Sequence, residues 1–303
     1  MADEVIQCRF LTFFGGPEEF SYSVSWKKDK KANFLENNFF SSKVKSAFTL
    51  IELLITISII FLLIGVLFPV LGLVRARSHQ LLCQGNLRQL VLANVSYANE
   101  HRGSFMPGSI DIFTENKHRW YGVRNNIDEP FDISRGLLVK FLGRKDMHCP
   151  VSVDYLKQPP SDPEYDAGSG GYGYNMVYIG SRIWSDGYDE RSCTVTAKDV
   201  HIRKPEKTLM FADTAMAKFA SLTEYSFAEP RFFLIYGRPN TAWDPSPSIH
   251  FRHLAQANVG WADAHVGSQK MGQYDGVNED GTKPSEMNLG WFEPMDNSMF
   301  DLE

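Results

Sequence analysis

From Leu53 to Val74 the chain runs for 22 residues without a formal charge, and no other stretch constrains the fold as strongly. A helix of that length covers roughly 33 Å at 1.5 Å per residue, about the thickness of a bilayer core. The apolar run opens at Phe48 and contains one carboxylate, Glu52, which is the fifth residue when Phe48 is the first. It reads as a membrane helix.

Charge is distributed unevenly around it. Between Ser21 and Ala47 the six lysines Lys27, Lys28, Lys30, Lys31, Lys43 and Lys45 face only Asp29 and Glu36, while Arg75 to Glu303 carries 24 basic and 29 acidic residues. The lysines before the run outnumber Arg75, Arg77 and Arg88 after it, so the positive-inside rule places the N-terminus in the cytoplasm and the large C-terminal part outside, in the periplasm. A net charge of −5 beyond the run argues against a nucleic-acid partner. Residues 1–47 show no sustained apolar period and read as a leader. Targeting segments usually run to roughly 15–30 residues. The expectation is a start codon placed too far upstream, the alternative an unusually long leader.

The run does not end in a turn. Leu82, Leu87, Leu90, Val91, Asn94, Val95 and Ala98 recur at helical spacing after Arg75–Arg77, so the helix is expected to continue to about Asn99 with an amphipathic second half. Pro69 lies inside it and cannot donate to Gly65, which predicts a kink or local opening there; a tolerated membrane proline is the alternative. Beyond Gly103 short segments are broken by Pro and Gly. GLLVKFLG (136–143) is a short-helix candidate, and strand-like runs fall at 174–179, 208–213, 232–236 and 257–266. Pro159–Gly173 suits a surface loop, and the acidic stretch from Gly272 to Glu303 is expected to wrap the surface or to be partly mobile.

Of four cysteines (Cys8, Cys83, Cys149, Cys193), no pair has C-x-x-C spacing, so no metal site through thiolates is indicated. An exported location permits a disulfide, with Cys83 and Cys149 the favoured pair and Cys193 left over. Free buried cysteines acting as small hydrophobes are the alternative.

The segment KSAFTLIELLITISII resembles the N-terminal cleavage and methylation motif of type IV prepilins and type II secretion pseudopilins. The resemblance implies cutting by a prepilin peptidase between Ala47 and Phe48, methylation of the new Phe48 amine, and assembly through Glu52, with Pro69 at a familiar helix-loosening position. The family usually has Gly before the cut, where this chain has Ala47. CQGNLRQLVLANVSYANEHRGSFMPG, MHCPVS, GYGYNMV and KPEKTLMFAD resemble successive landmarks of large pseudopilin-like proteins of planctomycete-type bacteria. RHLAQANVGWADAHVG resembles their late H-x9-DG motif, with nine residues between His253 and Asp263 and Ala264 in place of Gly.

His250, His253, Asp263 and His265 have the residue types of a metal site. The alternation in ANVGWADAHVG favours a hairpin that turns at Asp263–Ala264, where the turn must change type or accept strain without Gly. DGVNEDG (275–281) is oxygen-rich like a calcium loop, but Gly276 occupies the place of the first acid, and an acidic surface loop is the preferred reading. No triad, phosphate-cradling loop or zinc-protease motif stands out, so no enzyme and no cofactor is expected, calcium being the one candidate.

The expected fold class is α+β and pilin-like. A leader (1–47) and a transmembrane helix half (48–74) precede an extracytoplasmic domain (75–303), whose amphipathic helix packs on an antiparallel sheet through Leu82, Leu87, Leu90, Val91 and Val95. Taken with the resemblance, this implies a single-pass inner-membrane subunit of a type II secretion pseudopilus or type IV pilus-like fibre. Its partners would be prepilin peptidase, other pseudopilin subunits and an inner-membrane assembly platform. The alternatives are an uncleaved membrane-anchored protein with an external ligand-binding domain and a membrane-tethered hydrolase using the histidine-rich hairpin.

Overall fold

The computed structural model describes residues 48–143, 147–152, 166, 168–218, 221–240, 245–278 and 281–303. The chain divides into two compact units, Met1–Ile55 and Thr56–Glu303. The leader and Ala47 lie outside the described residues.

In the first unit, Phe48 and Thr49 lead into helix α1, Leu50–Glu100, 51 residues in all. The helix starts there because Thr49 and Glu52 form a reciprocal capping box. The Glu52 backbone N–H donates to Thr49 Oγ1 (3.3 Å), and the Thr49 N–H donates to Glu52 Oε2 (2.9 Å). Two of the orphan donors of the first turn are thereby satisfied.

In the second unit α1 continues through Pro69. Every residue from Phe48 to Arg75 is exposed. This part gives the described residues one helix long and apolar enough to cross a membrane. From Gln80 onward one face is buried, through Cys83, Asn86, Leu87, Leu90, Val91, Ala93, Asn94 and Ala98.

The fold is α+β. A four-stranded antiparallel sheet is ordered Val266–Lys270, Gln256–Trp261, Leu209–Asp213, Tyr172–Tyr174. One face joins Leu87, Leu90 and Val91 of α1 to Tyr172, Tyr174 and Phe211. A second cluster gathers Leu209, Ala212, Val259, Phe251, Phe292 and Phe300. Coverage on both sides explains why LMFAD (209–213) is buried throughout. Helix and sheet approach closely at Gly260, where an added Cβ would stand 2.8 Å from Val91 Cγ2.

Several expectations are corrected. Leu82 is 57% exposed while Cys83 is fully buried. One residue advances a helix by about 100°, so centring the buried stripe on Cys83 turns Leu82 outward. Val95 lies only half-buried beside the stripe. The strand expected at 174–179 ends at Tyr174 and gives way to a helical turn, Met176–Gly180, whose start Asn175 caps by accepting from the Tyr178 N–H. Residues 136–143 form consecutive turns rather than a helix; eight residues between two glycines offer little beyond the costly nucleus. The loop expected over Pro159–Gly173 is described only in part, and its last two residues are already in the sheet. The strand at 232–236 shortens to Leu234–Ile235, paired with Arg238–Pro239.

The C-terminal stretch wraps the domain. Leu289–Gly290 pairs with Ile249–His250, and Trp291, Phe292 and Phe300 are buried. Asn175 Nδ2 donates to the carbonyl oxygens of Leu209 (2.9 Å) and Phe300 (2.8 Å), tying that stretch to the sheet.

Candidate functional site

The docked half of α1 is fastened by amides as well as apolar side chains. Gln80 and Gln84 each donate to Ser268 Oγ (2.8 and 2.9 Å). Asn86 Nδ2 donates to the His148 carbonyl and to Tyr172 Oη, both at 3.0 Å. Asn94 donates to Tyr174 Oη (3.1 Å) and accepts from the Met106 N–H (3.0 Å). Buried amides are tolerated because each meets a partner on the sheet or the loops beside it.

Between these contacts lies a buried polar cluster that the sequence reading only partly anticipates. Cys83, from α1, and Cys149, from the 147–152 segment, are free thiols with sulfurs 2.8 Å apart. His253 Nε2 lies 3.4 Å from the Cys149 sulfur and 3.5 Å from Asp213 Oδ2. Arg252 Nε donates to the Cys149 sulfur (3.3 Å) and Arg252 Nη2 to Asp213 Oδ1 (2.9 Å). Arg252 also donates to the Thr214 carbonyl (3.1 Å) and to the Gly171 carbonyl. The second Asp213 oxygen accepts from the Asn258 N–H (2.7 Å). Five elements thus converge: α1, the 147–152 segment, the Leu209–Asp213 and Gln256–Trp261 strands, and the turn that carries Arg252 and His253.

Electrostatics follow from burial and neighbours. The hydrogen bond to Cys149, then burial, push the Cys83 thiol up. Burial works against a Cys149 thiolate, but the Cys83 hydrogen bond, the positive charge of Arg252 and the hydrogen bond with His253 outweigh it and hold Cys149 well below the usual thiol range. Burial, with Arg252 beside it, lowers His250 to about 3, so this imidazole is neutral at physiological pH.

His253 sits here because residues 253–256 close a tight turn. The His253 N–H donates to the Gln256 carbonyl (2.9 Å) and the Gln256 N–H to the His253 carbonyl (3.0 Å). The central residues, Leu254 (φ 54°) and Ala255 (φ 58°), are left-handed. That is type I′ geometry, normally supplied by Asn-Gly. With no Gly or Asn at 254–255, the sequence offered no signal for it.

The late hairpin turns where expected. The Ala264 N–H donates to the Trp261 carbonyl (2.9 Å), the Trp261 N–H to the His265 carbonyl (3.0 Å), and Ala264 accepts φ 68°. Asp263 accepts from the His265 N–H (3.0 Å) and lies 2.6 Å from His265 Nδ1. The considered metal set is therefore divided. Asp263 and His265 pair in the turn, whereas His250 and His253 are buried. Among the described residues the one gathering of three potential ligands is Cys83, Cys149 and His253, whose ligand atoms lie within 4.8 Å of one another.

At the other end of α1, Phe48 is exposed and Glu52 is held by Thr49. The T-L-I-E spacing is the sequence signal of this capping box. Glu279 and Asp280, part of the considered calcium loop, lie outside the described residues. No family model, curated protein or solved structure matches the chain.

Proposed function

We propose that the chain is a structural pilin- or pseudopilin-like subunit, anchored in the inner membrane by the first half of α1 and assembled through that helix into a fibre. The observation that carries this reading is the division of one helix into two surfaces. From Phe48 to Arg75 it is exposed and almost entirely apolar, and from Gln80 it is buried on the sheet of its own domain. A surface of that size and composition is stable only in lipid or against other apolar helices. Both environments serve in turn for a subunit that moves from membrane to fibre. Glu52 is the one carboxylate on that surface, and a neighbouring subunit's Phe48 amine is the charge that would satisfy it.

The mature N-terminus tests the reading. N-terminal sequencing and intact mass of the membrane-extracted protein are expected to give a chain beginning at a methylated Phe48. A chain still carrying residues upstream of Ala47 would instead establish the uncleaved anchor. The observation that favours that second reading is an open groove of about 400 Å³ lined by Tyr178, Arg182, Thr196, His201 and Leu234, with room for a small ligand.

A further inference from the structure

We infer that Cys83 and Cys149 close into a disulfide in the exported protein, fastening α1 to the 147–152 segment and locking the helix in register on the sheet. The inference rests on the exported location proposed above and on geometry independent of it. The two sulfurs lie 2.8 Å apart, with both residues fully buried, so a small side-chain movement brings them to the bond length of about 2.05 Å. A metal is the competing use of the same atoms, and three observations weigh against it. Two thiolates on one tetrahedral zinc, with Zn–S about 2.3 Å, stand about 3.8 Å apart, wider than this pair. Asp213, whose Oδ2 lies 3.5 Å from His253 Nε2, already has one oxygen engaged by Arg252 and the other by the Asn258 N–H, so ligation by it would compete with both bonds. The Arg252 guanidinium already touches the Cys149 sulfur, where an incoming dication would meet a fixed positive charge. A disulfide keeps all of these contacts and leaves Arg252 and Asp213 as a balanced pair.

The chemistry needs an oxidant, which is a small-molecule or protein disulfide met while the 147–152 segment is still open. One thiol of the pair, Cys149 by its setting beside Arg252, loses its proton and attacks an oxidant sulfur, expelling the first thiolate. The Cys83 sulfur then attacks Cys149 in the mixed disulfide and expels the second. Two protons leave the cysteines and end on the two departing thiolates, so the oxidant is reduced by two electrons as the bond forms.

The experiment uses the purified full chain, reduced and refolded in a glutathione disulfide buffer. Quenching by alkylation under denaturing conditions is followed by peptide mapping. A linked Cys83–Cys149 peptide and a mass lower by 2 Da are expected, with Cys193 alkylated. The melting temperature of the oxidised protein should exceed that of Cys83→Ser and of Cys149→Ser by about 10 °C, a loop of 66 residues being closed. Dithiothreitol should erase that difference. Free Cys83 and Cys149 after refolding in that buffer, or stoichiometric zinc by elemental analysis with both thiols engaged, would overturn the inference. The same alkylation on cells reads location separately. Linkage in the refolded chain with free thiols in cells would leave the clamp standing and count against export.

Discussion

Arg252 Nη2 and Asp213 Oδ1 meet at 2.9 Å where neither side chain reaches water, at 1% and 0% side-chain exposure. An ion pair this deep is retained only with every remaining donor and acceptor engaged, and here the Gly171 and Thr214 carbonyls and the Asn258 N–H engage them. Asp213→Asn leaves the guanidinium buried without its counter-charge. A loss of about 3–5 kcal/mol is expected in urea unfolding of the purified protein. A loss below 1 kcal/mol would mean that the Arg252–Asp213 pair does not hold the converging elements together.

Glu229 gives the domain a pH dependence. Burial, opposed only by the Tyr225 hydroxyl that donates to it (2.8 Å), pushes its carboxyl up to about 7 from an ordinary 4.5. The folded state then keeps a proton that the unfolded state has lost, so stability falls as pH rises from about 4.5 to about 7 and levels off above. The window corresponds to about 3 kcal/mol from this group. Glu229→Gln should flatten the slope, measured as urea midpoints at pH 5 and pH 7.5. An unchanged slope in the variant would assign the dependence to another group.

The strained turns offer stabilising changes. Leu254 and Ala255 are exposed and left-handed, so Leu254→Asn with Ala255→Gly removes strain while sacrificing little packing. A gain of about 1–2 kcal/mol is expected. Ala264→Gly, at φ 68°, should add about 1 kcal/mol. Thermal melts of the single and combined variants check both, and lower melting temperatures would show that these side chains contribute contacts worth more than the strain.

The cap that Glu52 forms with Thr49 and the assembly role proposed for it would be confused by one substitution alone. Thr49→Ala removes only the cap and should cost about 1 kcal/mol at the helix start while fibres still form. Glu52→Ala removes both the cap and the carboxylate for a neighbouring subunit, and assembled material in a sedimentation assay should disappear. Equal loss in the two variants would reduce Glu52 to a helix cap.

What the sequence conveyed and what it concealed divide along physical lines. The long helix, the Leu209–Asp213 strand and the hairpin at Asp263–Ala264 were legible because runs of apolar residues and strict alternation report burial directly. The docked face was legible at Leu87, Leu90 and Val91, while Leu82 was misassigned because the stripe runs through its neighbour Cys83 and through Asn86, an amide that hydropathy does not rank as core. The juxtaposition of Cys83 with Cys149 was anticipated, whereas Asp213 and Arg252 were not. Nothing local marks a charged residue as buried when its partner lies 39 positions away. The turn that places Leu254 and Ala255 where Asn and Gly are the rule stays invisible until backbone angles are known.

The amides along α1 also set a schedule for the chain's birth. Gln80 is made 188 residues before Ser268, the hydroxyl that receives it. At roughly 5–20 residues per second, a translating ribosome leaves that interval at about 10–40 s. During it the first half of the helix can already have entered lipid, while the second half presents cysteine, amide and leucine side chains to water with no sheet to meet them. The nascent domain therefore passes through a stage in which its spine is complete and its counterpart does not yet exist, and any holding factor that acts on this protein has its work concentrated there.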